Sequence, residues 1–204
     1  MQAKALIDRI TLLNITLFVE AFVLLTATFW SQAVDIELLP ALRTHTSKIL
    51  LGLAAGGAMA AVSLALYFLA RWVKPLSGLR EIIVRQIAPI FADINFFDAV
   101  VIASVSGFCE EVLFRGVIQP QLALVPTSII FGLFHCPSLK HLSYGVWAFA
   151  AGLFLGWLYQ TTGSLWPPIV AHAVSNCISL LFLRYCVKPE PELEDSQDNS
   201  DADA

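Results

Sequence analysis

"GFCEEVLFRG", residues 107–116, sets two acids and an arginine in an apolar run. Whether that run is a soluble core helix or a membrane span decides the fold, and the rest of the chain supplies the answer. Of 204 residues, 57% are hydrophobic and only 14% charged, and the mean hydropathy is +0.73, far above an ordinary soluble domain of this length. Several stretches approach the roughly 20 apolar residues that a spanning helix needs. The sequence lacks the many short alternating segments of a β-barrel. The predicted class is all-α, a polytopic transmembrane helical bundle of about six spans in an integral membrane protein.

The expected spans are residues 10–30, 49–70, 98–119, 122–136, 142–159 and 166–187. Lys4 and Arg9 resemble the start of a signal peptide and Ser31-x-Ala33 a cleavage site, but the apolar stretch is long for that role, so an uncleaved span is expected. In the second span Gly52-x-x-x-Gly56, followed by Ala60, makes a ridge of small residues that lets another helix approach closely. Arg71, Lys74, Arg80 and Arg85 stand against Glu81 alone. The positive-inside rule assigns them to the cytoplasm, with residues 31–48 outside. Lys140, Arg184 and Lys188 then also fall inside, which predicts cytoplasmic termini and, in a bacterium, the plasma (inner) membrane. From Leu79 to Ile94 apolar residues recur at helical spacing, interrupted by Pro89, and read as an amphipathic interfacial segment.

Charge divides unevenly. The tail "PEPELEDSQDNSDADA" holds Glu190, Glu192, Glu194, Asp195, Asp198, Asp201 and Asp203 and no base, so the body is mildly basic although the formal net charge is −4. The tail has almost nothing to bury and reads as disordered. Its removal is expected to leave folding intact. Cys109, Cys136, Cys177 and Cys186 show no CxxC spacing and read as buried small hydrophobes. The expected organisation is two spans plus the interfacial segment over 1–97, a helical core over 98–188, and the acidic tail over 189–204.

A charge at the bilayer centre costs at least about 2.5 to 3.5 kcal/mol by insertion scales, so Glu110, Glu111 and Arg115 need partners or a task. Glu111 and Arg115 are four apart on one helix face and can pair. Glu110 is turned by about 100° and has no partner in that pair. A buried ionic lock between helices would account for Glu111 and Arg115 as well as a task would, and for Glu110 less well. In later spans Phe131 and His135 are four apart, as are His172 and Asn176, so each pair shares a face. A lone intramembrane histidine is often only a helix contact. Two of them, with a carboxylate and an amide, suggest a general base, a second proton-handling group and oxyanion donors, the parts that acyl-bond hydrolysis requires. His45 and His141 lie in predicted loops and receive no role.

At these residues the sequence resembles the CPBP intramembrane proteases, which include the CAAX prenyl endopeptidases and the Abi group linked to bacteriocin processing and self-immunity. The family's EExxxR matches Glu110, Glu111 and Arg115; its FxxxH matches Phe131 and His135; its HxxxN matches His172 and Asn176. The motifs occur in order, and the resemblance covers about residues 98–187, less than half of the chain. It makes 98–188 a CPBP-type catalytic core and implies peptide-bond hydrolysis in the membrane. Glu110 and His135 would activate water, His172 and Asn176 would hold the oxyanion, and Glu111, Arg115 and Phe131 would organise the site. Implied partners are membrane lipid and a peptide or protein substrate, prenylated ones included; nothing predicts a nucleic acid.

Glu110, His135 and His172 also make a His2Glu set of the kind that holds catalytic zinc, yet HExxH spacing is absent. No obligatory metal is expected. Two readings from other classes stand beside hydrolysis. One is a non-catalytic immunity or scaffolding protein. The other is an ion or proton transporter with Glu20, Glu110 and the histidines as a relay, for which the expected internal repeat is missing.

Overall fold

The computed structural model describes residues 7–43, 46–136, 138–139 and 142–188. Lys4, His45, Lys140, His141 and the acidic tail lie outside them. Among the described residues the fold is all-helical. Four helices are long and apolar enough to cross a membrane: α1 (Arg9–Ala33), α2 (Thr46–Leu69), α6 (Leu142–Thr162) and α7 (Trp166–Cys186). The remaining two expected spans are α4 (Phe96–Glu111), prolonged by the π-helical Val112–Ile118 and the short Gln119–Leu122, and α5 (Leu124–Phe134). At 1.5 Å per residue the 11 residues of α5 reach about 16 Å, roughly half of a bilayer core. A break at Ala123, with φ of 68°, separates α5 from the helix before it.

The helix starts are set by local chemistry. Asp8 caps α1, its Oδ1 accepting from the backbone N–H groups of Ile10 and Thr11 at 3.1 Å. Bonds from Thr11, side chain first, hold the Asp8 carboxyl below the ordinary aspartate range. Asn95 and Asp98 form a capping box on α4, with Asp98 N–H donating to Asn95 Oδ1 at 3.0 Å and Asn95 N–H to Asp98 Oδ2 at 2.8 Å. Arg9 Nη2 then donates to Asp98 Oδ1 at 2.8 Å, tying the start of α1 to the start of α4. Leu12 packs with Ala99 and Ile102, and Ala27 with Val112 and Val117. The two helices therefore run parallel.

The segment read as interfacial is broken rather than continuous. A short α3 (Ser77–Ile82) passes into π-helical Ile83–Ile87 and a last turn, Ala88–Ile90. Leu79, Ile82, Val84 and Ala88 are buried in the bundle, so its apolar face is spent on helices, with α3 packing against α6.

α7 lies at the centre, against α2 on one side and α4 on the other. The small-residue ridge explains the first contact: a Cβ at Gly52 would lie 2.6 Å from Val170 Cβ, and one at Gly56 would lie 2.8 Å from the Ala171 carbonyl. Gly107 does the same on α4, where a Cβ would stand 2.8 Å from the Ala173 nitrogen. Gly56→Ala is expected to push α2 off α7 and cost about 1–3 kcal/mol, read as a lower melting temperature in detergent. An unchanged melting temperature would mean that α2 and α7 do not approach this closely.

Candidate active site

α4 ends at Glu110 and Glu111, and its π-helical continuation carries Arg115; π turns of this kind are frequent at functional sites. Glu111 and Arg115 are both 0% exposed. Arg115 Nη1 donates to Glu111 Oε1 at 2.8 Å, the pairing expected from their spacing. Arg115 Nη2 donates to the Gly152 carbonyl at 2.9 Å, and its Cζ lies 4.8 Å from the centre of the Phe131 ring, a cation–π contact. The guanidinium is thus held from α4, α5 and α6 together.

The same Glu111 oxygen also serves α7. His172 Nδ1 lies 2.9 Å from Glu111 Oε1, and since a carboxylate oxygen accepts, Nδ1 carries the proton. His172 Nε2 is then the free nitrogen, an acceptor in the neutral ring and a donor only in the imidazolium. His135 follows the last residue of α5, its Nδ1 2.8 Å from the Phe131 carbonyl. A carbonyl accepts, so Nδ1 is again the donor and Nε2 keeps a lone pair. One turn past His172, Asn176 Nδ2 donates to Ser106 Oγ at 3.3 Å.

His135, His172 and Asn176 line one cavity of about 170 Å³, together with Tyr144, and the cavity continues along α7 to Phe182 and Leu183. Glu110 is half-buried beside this cluster and is not part of the cavity wall. Its Oε2 is buried without a hydrogen-bond partner, and its charge acts on His172, Arg115, Tyr144 and Glu20. No hydrogen bond among the described residues joins it to either histidine.

Hydropathy alone places His172 nearer the membrane surface than the acids of α4, and the structure shows how it comes to meet Glu111. The loop before α2 folds over the start of α7: Trp166 Nε1 donates to the Leu42 carbonyl at 2.6 Å and Leu165 N–H to the Ala41 carbonyl at 2.8 Å. Leu38, Ala41 and Leu42 pack on Leu165 and Ile169. The first turn of α7, with Pro167 and Pro168, is therefore covered by protein, and His172 sits one turn deeper.

Among the described residues no three His, Cys, Asp or Glu side chains stand together as a group that could hold a metal ion. The Nδ1 of each histidine is committed to an oxygen of the protein, which leaves each Nε2 as the nitrogen open toward the cavity.

Tyr144, in the first turn of α6 with its ring centre 6.1 Å from that of His135, escaped the sequence reading because a tyrosine near a span's end normally marks the membrane interface. Ser106 carries no sequence signal of its partner. Glu20 entered the sequence reading only as a member of the alternative relay, and no motif or spacing says which helix face it meets.

A bundle of apolar helices with a buried acid–histidine–arginine cluster beside a cavity defines an integral membrane protein with a candidate hydrolytic site. Residues 92–178 match the family described as Type II CAAX prenyl endopeptidase Rce1-like, a stretch that contains all three motifs, and the resemblance read from those motifs holds there. The family is one of proteases. Among curated proteins the chain is similar to YpbD of Bacillus subtilis (strain 168), 33% identical over 79 residues, which are 39% of this chain and 42% of that protein. The match thus spans less than half of the relative's length. No solved structure matches the chain.

Proposed function

We propose that the protein is an intramembrane endopeptidase that hydrolyses a peptide bond of a membrane-associated substrate. What carries the reading is one observation: His135, His172 and Asn176, from two separate motifs, line a single cavity backed by the Glu111–Arg115 pair. Glu110 and His135 Nε2 polarise a water molecule, which attacks the scissile carbonyl carbon. The water proton passes through this pair to the leaving amine as the C–N bond breaks. Asn176 Nδ2–H and His172 Nε2–H, the latter with both ring nitrogens protonated, donate to the tetrahedral oxyanion. Glu111, accepting from His172 Nδ1, fixes the ring plane, and no step is routed through a metal.

The substrate class proposed is a CAAX-like or other membrane-bound peptide, prenylated ones included, reached from surrounding lipid. The test is cleavage of a panel of prenylated and unprenylated CAAX-type peptides and single-span membrane proteins by the purified protein in lipid nanodiscs. Cleavage that persists in chelator with sub-stoichiometric zinc is the expected result. Stoichiometric zinc with chelator-sensitive activity would overturn the metal-free step. A folded protein that cleaves nothing in the panel would overturn the peptidase reading.

A further inference from the structure

Among the described residues, α1 is the one long helix outside residues 92–178 that brings a carboxylate into the bundle. Its outer face is lipid-facing, with Phe18 77% and Phe22 66% exposed, whereas Glu20 between them is 7% exposed. A buried carboxylate in a membrane helix is costly and normally paired. Among the described residues Glu20 makes no ion pair and no hydrogen bond, and its Oε2 is buried without a partner. Arg115, the buried arginine of the π-helical continuation of α4, is already committed to Glu111 and Gly152.

The parallel register of α1 and α4 says what Glu20 faces. Arg9 meets Asp98 near one end and Ala27 meets Val112 and Val117 near the other, which places Glu20, midway, beside the last turn of α4. The charges that act on Glu20 are those of Glu110 and His172, and Glu20 in turn acts on Cys109. Glu20 and Glu110 each leave one buried oxygen unpartnered on this same side of the bundle. Two unpartnered carboxyl oxygens on neighbouring turns of packed helices are joined when one carboxyl donates or when a water bridges them.

We propose that Glu20 is a positioning residue: its carboxyl bears on that of Glu110, directly or through one water, and holds it toward His172 and the cavity. The inference rests on the peptidase reading for its consequence, and for the pairing on the α1–α4 register and the two unpartnered buried oxygens. A residue kept for such a task weakens the fold while it serves the reaction. Glu20→Leu is therefore expected to raise the melting temperature by several degrees while lowering kcat about 10- to 100-fold, as small misplacements of a reacting group do, with KM little changed. Glu20→Gln, whose amide N–H still donates to Glu110, should recover most of the lost rate.

Two experiments decide it. The first needs no substrate: a double-mutant melting cycle of Glu20→Leu and Glu110→Ala, each of which removes its carboxyl, should be non-additive, and an additive cycle overturns the pairing. The second compares kcat and KM of Glu20→Leu with the parent on a substrate that the parent cleaves. An unchanged kcat, a change in KM alone, or a lowered melting temperature would make Glu20 a structural residue and overturn the proposal. If the parent cleaves nothing, the peptidase reading is what fails, and the melting cycle still decides whether Glu20 and Glu110 are joined.

Discussion

Glu110→Gln is expected to remove about 10²- to 10⁴-fold of the rate, the usual contribution of a positioned general base, and to leave the bundle folded. Glutamine keeps the size of the side chain and a carbonyl oxygen to accept, but it cannot take a proton from water. Stability should hold because little of it runs through this carboxyl: its Oε2 has no hydrogen-bond partner, and the side chain is only half-buried. The measurement is peptide cleavage and thermal melting of the purified variant beside the parent. Full activity would end the catalytic assignment. Inactivity through unfolding would move Glu110 into the ionic lock.

One residue along, the same substitution should behave differently. Glu111→Gln leaves Arg115, 0% exposed, as a cation whose counter-charge is gone, and breaking a buried pair from one side costs about 3–5 kcal/mol. Against a typical net stability of about 5–15 kcal/mol, that loss lowers expression and melting together. Glu111 Oε1 accepts from both Arg115 Nη1 and His172 Nδ1, so the His172 ring loses its orientation at the same time and the remaining folded fraction should cleave slowly. Melting equal to the parent's would show that Arg115 is neutralised from elsewhere and that the lock is not built on Glu111.

These neighbouring carboxylates also show how far sequence reaches. The four-residue spacing of Glu111 and Arg115 is a property of one helix, and the pairing it implies is present at 2.8 Å. The all-helical class and the limits of α1, α2 and α7 followed equally from apolar run length. What the sequence could not say is which helix stands opposite which face. His172 meets Glu111 rather than Glu110 because Gly107 lets α7 approach α4 at backbone distance, a fact about two helices at once. The depth of His172 depended on a loop folding back over Trp166, and a hydropathy profile treats every loop as lying outside. Residues 79–94 carry helical periodicity, but Pro89 and the π turn divide them, and the buried face is visible only once α6 is beside it.

The parallel register of α1 and α4 has a consequence in time. Arg9 and Asp98 are 89 residues apart, so on a ribosome adding roughly 5–20 residues per second the first helix waits about 4–18 s before the surface that covers it has been made. Throughout that interval the turn of α4 that covers Glu20 in the folded bundle has not been made. Newborn α1 must keep its acid in the insertion machinery, near the water-filled side of the membrane, or protonated in lipid. Its residence there ends when α4 arrives, which makes docking of the third long segment the step that commits the first to its final depth.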